Sequence, residues 1–202
     1  GALYKFIRNV FCDWYLELIK PLLSGEAEAA KAATRRTAGW ALDEILKQLH
    51  PFMPFVTEAL WEQLADGGPD RENFLMLQDW PVYSNAFANP AATEEMDWVI
   101  TALSETRSIR SDLGVPAGTK VPAALVNTTD TTKARHGRHA EVIARMARLE
   151  ELGLADAAPA GSISRVLGEA SMALQIADLL DITEAKARLD KDIAALTKDV
   201  TA

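Results

Sequence analysis

The chain of 202 residues contains a single cysteine, Cys12, which excludes an intrachain disulfide and a thiolate metal cage. With so little cysteine use, the expected compartment is reducing cytosol. It has only three histidines. His136 and His139 lie three apart in "HGRH", and Glu141 is the only further ligand type nearby, on a different helix face. A metal site is not expected there, and both histidines read as solvated. No apolar run reaches the roughly 18 residues that a membrane helix requires. The first residues are amphipathic and helical, unlike a secretory leader. Glycine-rich phosphate loops, nucleophile elbows and zinc-type Cys/His spacings are all missing. No catalytic constellation is expected.

Positive charge is also in deficit. Against 29 acidic residues stand 21 basic ones, a net charge of −8. General affinity for polyanions needs Lys and Arg to neutralise phosphates, so it is disfavoured. Residues 1–90 hold 8 basic and 12 acidic groups, and the remainder is equally negative. Any basic surface must be local.

What is present is helical periodicity. Over residues 3–23, Leu3, Phe6, Ile7, Val10, Phe11, Trp14, Leu18 and Leu22 recur every three or four positions and predict one buried face. Cys12 beside that stripe reads as a small core residue. Residues 26–50 are rich in helix formers, with Trp40, Ile45, Leu46 and Leu49 inward. In "LHPFMPFVTEALWEQL", Pro51 ends this helix and Pro54 suits the first turn of the next. His50 is placed to donate to carbonyls freed at the helix end. Phe55, Val56, Leu60, Trp61 and Leu64 continue the apolar face, and Trp14, Trp40 and Trp61 read as core.

Residues 66–92 have no period and read as a long surface connection, pinned by Phe74, Leu75, Leu77, Trp80 and Tyr83. Thr93 is the expected cap of a helix running to about Asp112, with Gly114 as its stop. "VPAALV" predicts a short strand, its Pro122 pointing to an edge or a strand start. Residues 131–151 predict a helix with Val142, Ile143, Met146 and Leu149 inward. "SISRVL" and "MALQIA" predict a hairpin around Gly168. From Ile182, apolar residues at Leu189, Ile193, Leu196 and Val200 trace a heptad seam.

The expected fold is therefore mainly α: an antiparallel helical bundle with its connecting loop (1–90), a small α/β unit (91–180) and the start of a C-terminal coiled-coil helix (181–202). Both ends stop within periodic pattern, so a longer parent chain is expected. Basic candidates are Arg35-Arg36, the pair Arg107 and Arg110, and Lys133, Arg135, Arg138, Arg145 and Arg148 along one helix. Such clusters either meet phosphates or form solvated faces beside acids.

"FCDWYLELIKPLL" followed by "LDEILKQLHPFMPFVTEALWEQL" resembles the anticodon-binding helical domain of class I aminoacyl-tRNA synthetases of the isoleucine/valine/leucine subgroup. "LQDWP" and "IRSDLGVPAGTKVPAALV" are most similar to the bacterial valyl branch, rather than the isoleucyl or leucyl one. The resemblance covers essentially the whole chain. It implies binding of tRNA(Val), with ATP and magnesium used by a catalytic domain elsewhere in the parent chain. The family's HIGH and KMSKS signatures are absent. The resemblance implies RNA-facing groups on the first two helices and the α/β unit; the candidates are Arg8, Lys20, Arg35, Arg36, Arg107 and Arg110. A non-catalytic helical interaction module is the alternative, and salt dependence separates the two.

Overall fold

The computed structural model describes residues 1–65, 73–177, 193 and 197. It is mostly helical, with one four-stranded sheet. The chain divides into two compact units, Gly1–Ala88 and Asn89–Ala202.

The first unit begins with α1 (Ala2–Phe6), a π-helical stretch (Ile7–Tyr15) and α2 (Leu16–Ser24) in direct succession. Hydrogen bonding from i to i+5 widens the turn and breaks the expected 3.6-residue stripe. Of this segment only Phe11 and Ile19 are buried; Phe6, Val10, Cys12 and Leu22 are exposed, against the sequence expectation. Pro21 is accommodated inside α2.

Helix α3 (Glu28–Leu49) packs on α2 and on α4 (Pro54–Gln63). Between them the Leu49 carbonyl accepts from the amides of both Phe52 and Met53, at 2.9 and 3.1 Å, and Pro54 opens α4. The two prolines act as the sequence suggested, but His50 does not. Its Nδ1 and the Thr57 hydroxyl share a hydrogen bond at 2.8 Å, and that hydroxyl also lies 2.9 Å from the Met53 carbonyl. Thr57 is buried, so this relay fixes the corner from inside.

Leu46, Trp61 and Leu75 form the core here, flanked by Leu42 and Leu64. The Trp61 indole donates to the Asn73 carbonyl at 3.2 Å. Glu58 accepts from the Leu75 amide at 2.7 Å and so holds the 3-10 turn Leu75–Leu77. Only Leu75 of the proposed pins is buried; Phe74, Leu77 and Trp80 are exposed. Phe55, expected inward, is 91% exposed.

In the second unit, α5 (Pro90–Asp112) is capped by Asn89, whose side chain accepts from the Ala92 amide at 3.1 Å, and not by Thr93. Trp98, Val99, Ala102, Leu103, Thr106, Ile109 and Arg110 form its buried face. Gly114 follows with φ 67°. The strands are β1 (Val121–Val126), β2 (Leu149–Leu154), β3 (Ser162–Leu167) and β4 (Ala170–Gln175), in the order β2-β1-β4-β3.

Strand β1 is thus interior, parallel to β2 and antiparallel to β4. Pro122 is tolerated because the register to β2 shifts between Val121 and Ala123. Helix α6 (Asp130–Ala147), capped by Thr129, links β1 to β2 and ends at Arg148 in the left-handed region (φ 57°). Leu149 then starts β2, a strand that helical periodicity had hidden. Gly168, at φ 61°, turns the β3–β4 hairpin. Val99, Leu103, Ile109, Leu125, Ile143, Met172, Leu174 and Ile176 are at most 2% exposed and fill the core. The heptad seam lies outside the described residues, apart from Ile193.

Candidate nucleic-acid interface

The six candidate cations separate into different environments. Arg8 lies on the π-helical stretch, and Arg35 and Arg36 lie midway along α3. All three are exposed, and none pairs with an acid among the described residues. Lys20 is exposed but contacts Glu17 at 2.5 Å. That pair is solvent-facing and weak, so an incoming phosphate can displace the carboxylate.

Arg107 and Arg110, in the second unit, are drawn to the C-terminal end of α6. Arg107 is exposed, with its guanidinium 3.5 Å from the Met146 carbonyl. Arg110 is 7% exposed. Its guanidinium donates to the carbonyls of Thr119 (2.7 Å), Pro116 (2.9 Å) and Arg148 (3.3 Å). Burial, and next the neighbouring Arg148 charge, lower its pKa. Arg110 therefore clamps a turn and a helix end rather than facing a phosphate. The signal was present in sequence: Val99, Leu103, Thr106 and Arg110 are spaced four, three and four, on one helix face.

Two of the five cations in the basic stripe of α6 are met by acids of α5. Arg135 bonds Glu94 at 2.6 Å. Arg138 grips both oxygens of Glu95 at 2.7 and 2.8 Å. His139 contacts the same carboxylate at 2.5 Å. These bonds, Arg138 first and His139 second, hold the Glu95 carboxyl down to about 2. His136 Nε2 donates to the Leu152 carbonyl at 2.6 Å on strand β2. Neither histidine is a free solvated group. Arg145 and Arg148 line a cleft of about 580 Å³ with Lys120, but Glu141, Glu150 and Glu151 line it too.

Sequence reasoning missed an aromatic cluster in the first unit. Trp40 stacks on Phe87 (centroids 5.5 Å, 22° between planes) and meets Tyr83 edge-on at 6.4 Å. Trp40, assigned to the core from its helical position, is 45% exposed. Gln48 Nε2 donates to the Tyr83 hydroxyl at 2.9 Å. Burial, and secondarily the Glu44 carboxylate, raise the Tyr83 pKa. Among the described residues no group of three or more His, Cys, Asp or Glu could hold a metal ion. No described helix is long and apolar enough to cross a membrane.

Exposed arginines and exposed aromatic rings on one helical unit suit single-stranded RNA, where rings stack on bases and guanidinium groups meet phosphates. The family agrees with that geometry: residues 1–125 match the anticodon-binding domain of tRNA ligases, and the chain belongs to that family. Nearly the whole chain is similar to valine–tRNA ligases. It is 50% identical over 194 residues to that of Caulobacter vibrioides, covering 96% of this chain and 21% of the relative. It is 43% identical over 200 residues to that of Agrobacterium fabrum, covering 99% and 21%. For Brucella suis the identity is 38% over 200 residues, covering 99% and 22%. The chain thus spans about a fifth of the length of the curated relatives it matches.

Proposed function

We propose that this chain is the tRNA-docking portion of a cytosolic valine–tRNA ligase, and that it positions tRNA(Val) without doing chemistry itself. Helices α1–α4 form an antiparallel bundle that holds the anticodon arm. Valine activation, with ATP and magnesium, belongs to a catalytic domain elsewhere in the parent chain.

The observation that carries this reading is similarity along 96–99% of the chain to valine–tRNA ligases. The geometry supports it through Arg8, Arg35 and Arg36, which offer cations without acid partners among the described residues. Phosphate contacts of this kind fix register, while base contacts in an unstacked loop specify sequence.

The test is a titration with valine-accepting tRNA transcript at about 50 and about 200 mM salt. Neutralising about three phosphates gives a log–log salt slope near −2 to −3, so affinity falls on the order of 20- to 60-fold over that range. Alanine at Arg35 and Arg36 together should flatten the slope by roughly two. A salt-insensitive interaction instead favours a helical protein-interaction module, and an unchanged slope in the double variant removes that pair from the interface.

A further inference from the structure

The aromatic cluster borders a cleft of about 480 Å³. Its walls are Trp40, Phe87, Tyr83 and Phe6, and Glu44 and Gln48 contribute polar groups. Phe6, Trp40, Tyr83 and Phe87 are 47, 45, 48 and 69% exposed. So much aromatic surface gathered in one concavity marks a binding site rather than scattered exposure.

The polar groups say what kind. The Glu44 side chain is only 14% exposed and bonds Lys47 at 2.9 Å. The Tyr83 hydroxyl also faces this carboxylate, and with about four acceptor positions on a carboxylate, capacity remains beyond these two partners. Gln48 directs its amide nitrogen at Tyr83, which leaves the amide oxygen as a second acceptor. Cleft residues Trp40, Glu44 and Gln48 repeat at i+4 along α3, and Arg36 lies one turn before them in the same series. A purely apolar occupant would cover Glu44 and Gln48 without satisfying them, at a cost.

We propose that this cleft takes one unstacked RNA base that carries an exocyclic amino group. The base lies on the exposed ring of Phe87, presents its amino group to Glu44 and Gln48, and places its phosphate toward Arg36. This deepens the tRNA-docking reading above and rests on it. Adenine, cytosine and guanine offer the required amino donor; uracil does not.

The test compares the 202-residue chain with its Phe87→Ala and Glu44→Gln variants. The probes are a valine-accepting transcript and a set in which each anticodon-loop base is changed in turn to uracil. Phe87 is exposed enough for its removal to leave the fold intact, which circular dichroism checks. Loss of one stacked base should weaken binding of the parent transcript roughly 5- to 150-fold, with the salt slope unchanged. Glu44→Gln should erase the penalty for uracil at one loop position and leave the other positions alone. If the unmodified chain binds with steep salt dependence while both variants match it on every transcript, the cleft is not a base site and the docking reading survives. If the unmodified chain binds no transcript, both proposals fall. Concentration-dependent self-association that Phe87→Ala abolishes, seen by sedimentation without RNA, would assign the cleft to a second copy and overturn the base site.

Discussion

Replacing Arg110 with alanine tests whether this arginine is structural. Its guanidinium donates to three carbonyls, of Thr119, Pro116 and Arg148. A hydrogen bond from a charged donor contributes about 1.5–3 kcal/mol net, and such terms do not add fully. Pro116 and Arg148 are exposed residues, so water can reach those carbonyls once the side chain is gone. The expected loss is about 3 kcal/mol. With an m value of about 2 kcal/mol/M, the urea midpoint of the second unit falls by about 1.5 M. Hydrogen exchange of the β1 and β4 amides gives a local reading of the same loss. Arg110→Lys should recover part of it, since an ammonium keeps the charge but not the planar fork. Arg107→Ala, at an exposed position, should cost under about 0.5 kcal/mol. RNA affinity of folded Arg110→Ala should match that of the parent chain. A midpoint within about 0.3 M of the parent, together with weakened RNA binding, would refute the structural assignment and return Arg110 to the interface.

Three other perturbations follow from the same unit. The Glu95 carboxyl is held down to about 2 by Arg138 and His139, so its contribution is full above the ordinary carboxylate range near 4.5 and fades as pH falls toward 2. Glu95→Gln should therefore lower stability at neutral pH and flatten the acid limb of a stability profile between about 4.5 and 2; an unchanged limb would show that the clasp is not formed in solution. Alanine at Gly161 must adopt φ +72° and place its Cβ 2.8 Å from that of Ala177, so a loss of about 2–3 kcal/mol is expected in urea melts. Alanine at Gly168 meets its nearest atom only at 4.0 Å, and the loss there should be nearer 1 kcal/mol, from the positive φ alone.

Features that rest on one residue's backbone chemistry were legible in the sequence. Pro51 and Pro54 stop and restart a helix whatever surrounds them, and the corner stands between α3 and α4. Gly168 turns a hairpin for the same kind of reason. Features that depend on periodicity failed where the period changes. The π-helical stretch shifts side chains around the axis, so a 3.6-residue reading buried Val10 and Cys12, which are exposed. Strand β2 was hidden because Leu149 continues the apolar spacing of α6. The break is made by Arg148, a residue with no particular preference for the left-handed conformation it adopts. Of the candidate cations, Arg8, Arg35 and Arg36 are exposed, as a surface role requires. The ring cluster could not be read in advance, because it needs Trp40 and Phe87 together, 47 positions apart.

Charge pairing bears on the proposed RNA-docking surface of this acidic chain. Lys20, Lys31 and Lys47 each sit three residues after a glutamate and contact it, through Glu17, Glu28 and Glu44. Arg135 and Arg138 are met by Glu94 and Glu95. These pairings remove cations from competition; in the first unit Lys5, Arg8, Arg35 and Arg36 have no acid partner among the described residues, and in the second Lys120, Arg145 and Arg148 have none either. Guanidinium groups suit phosphate better than ammonium does, through paired, planar hydrogen bonds. At physiological salt, interactions between exposed charges are largely screened beyond about 8 Å, so distant acids barely weaken a contact made at these arginines. Within that distance the same acids repel a phosphate backbone that settles elsewhere on the surface. The net charge of −8 therefore does not oppose RNA docking on the first unit. Poses that set phosphates against the unpaired acids elsewhere on the surface are disfavoured.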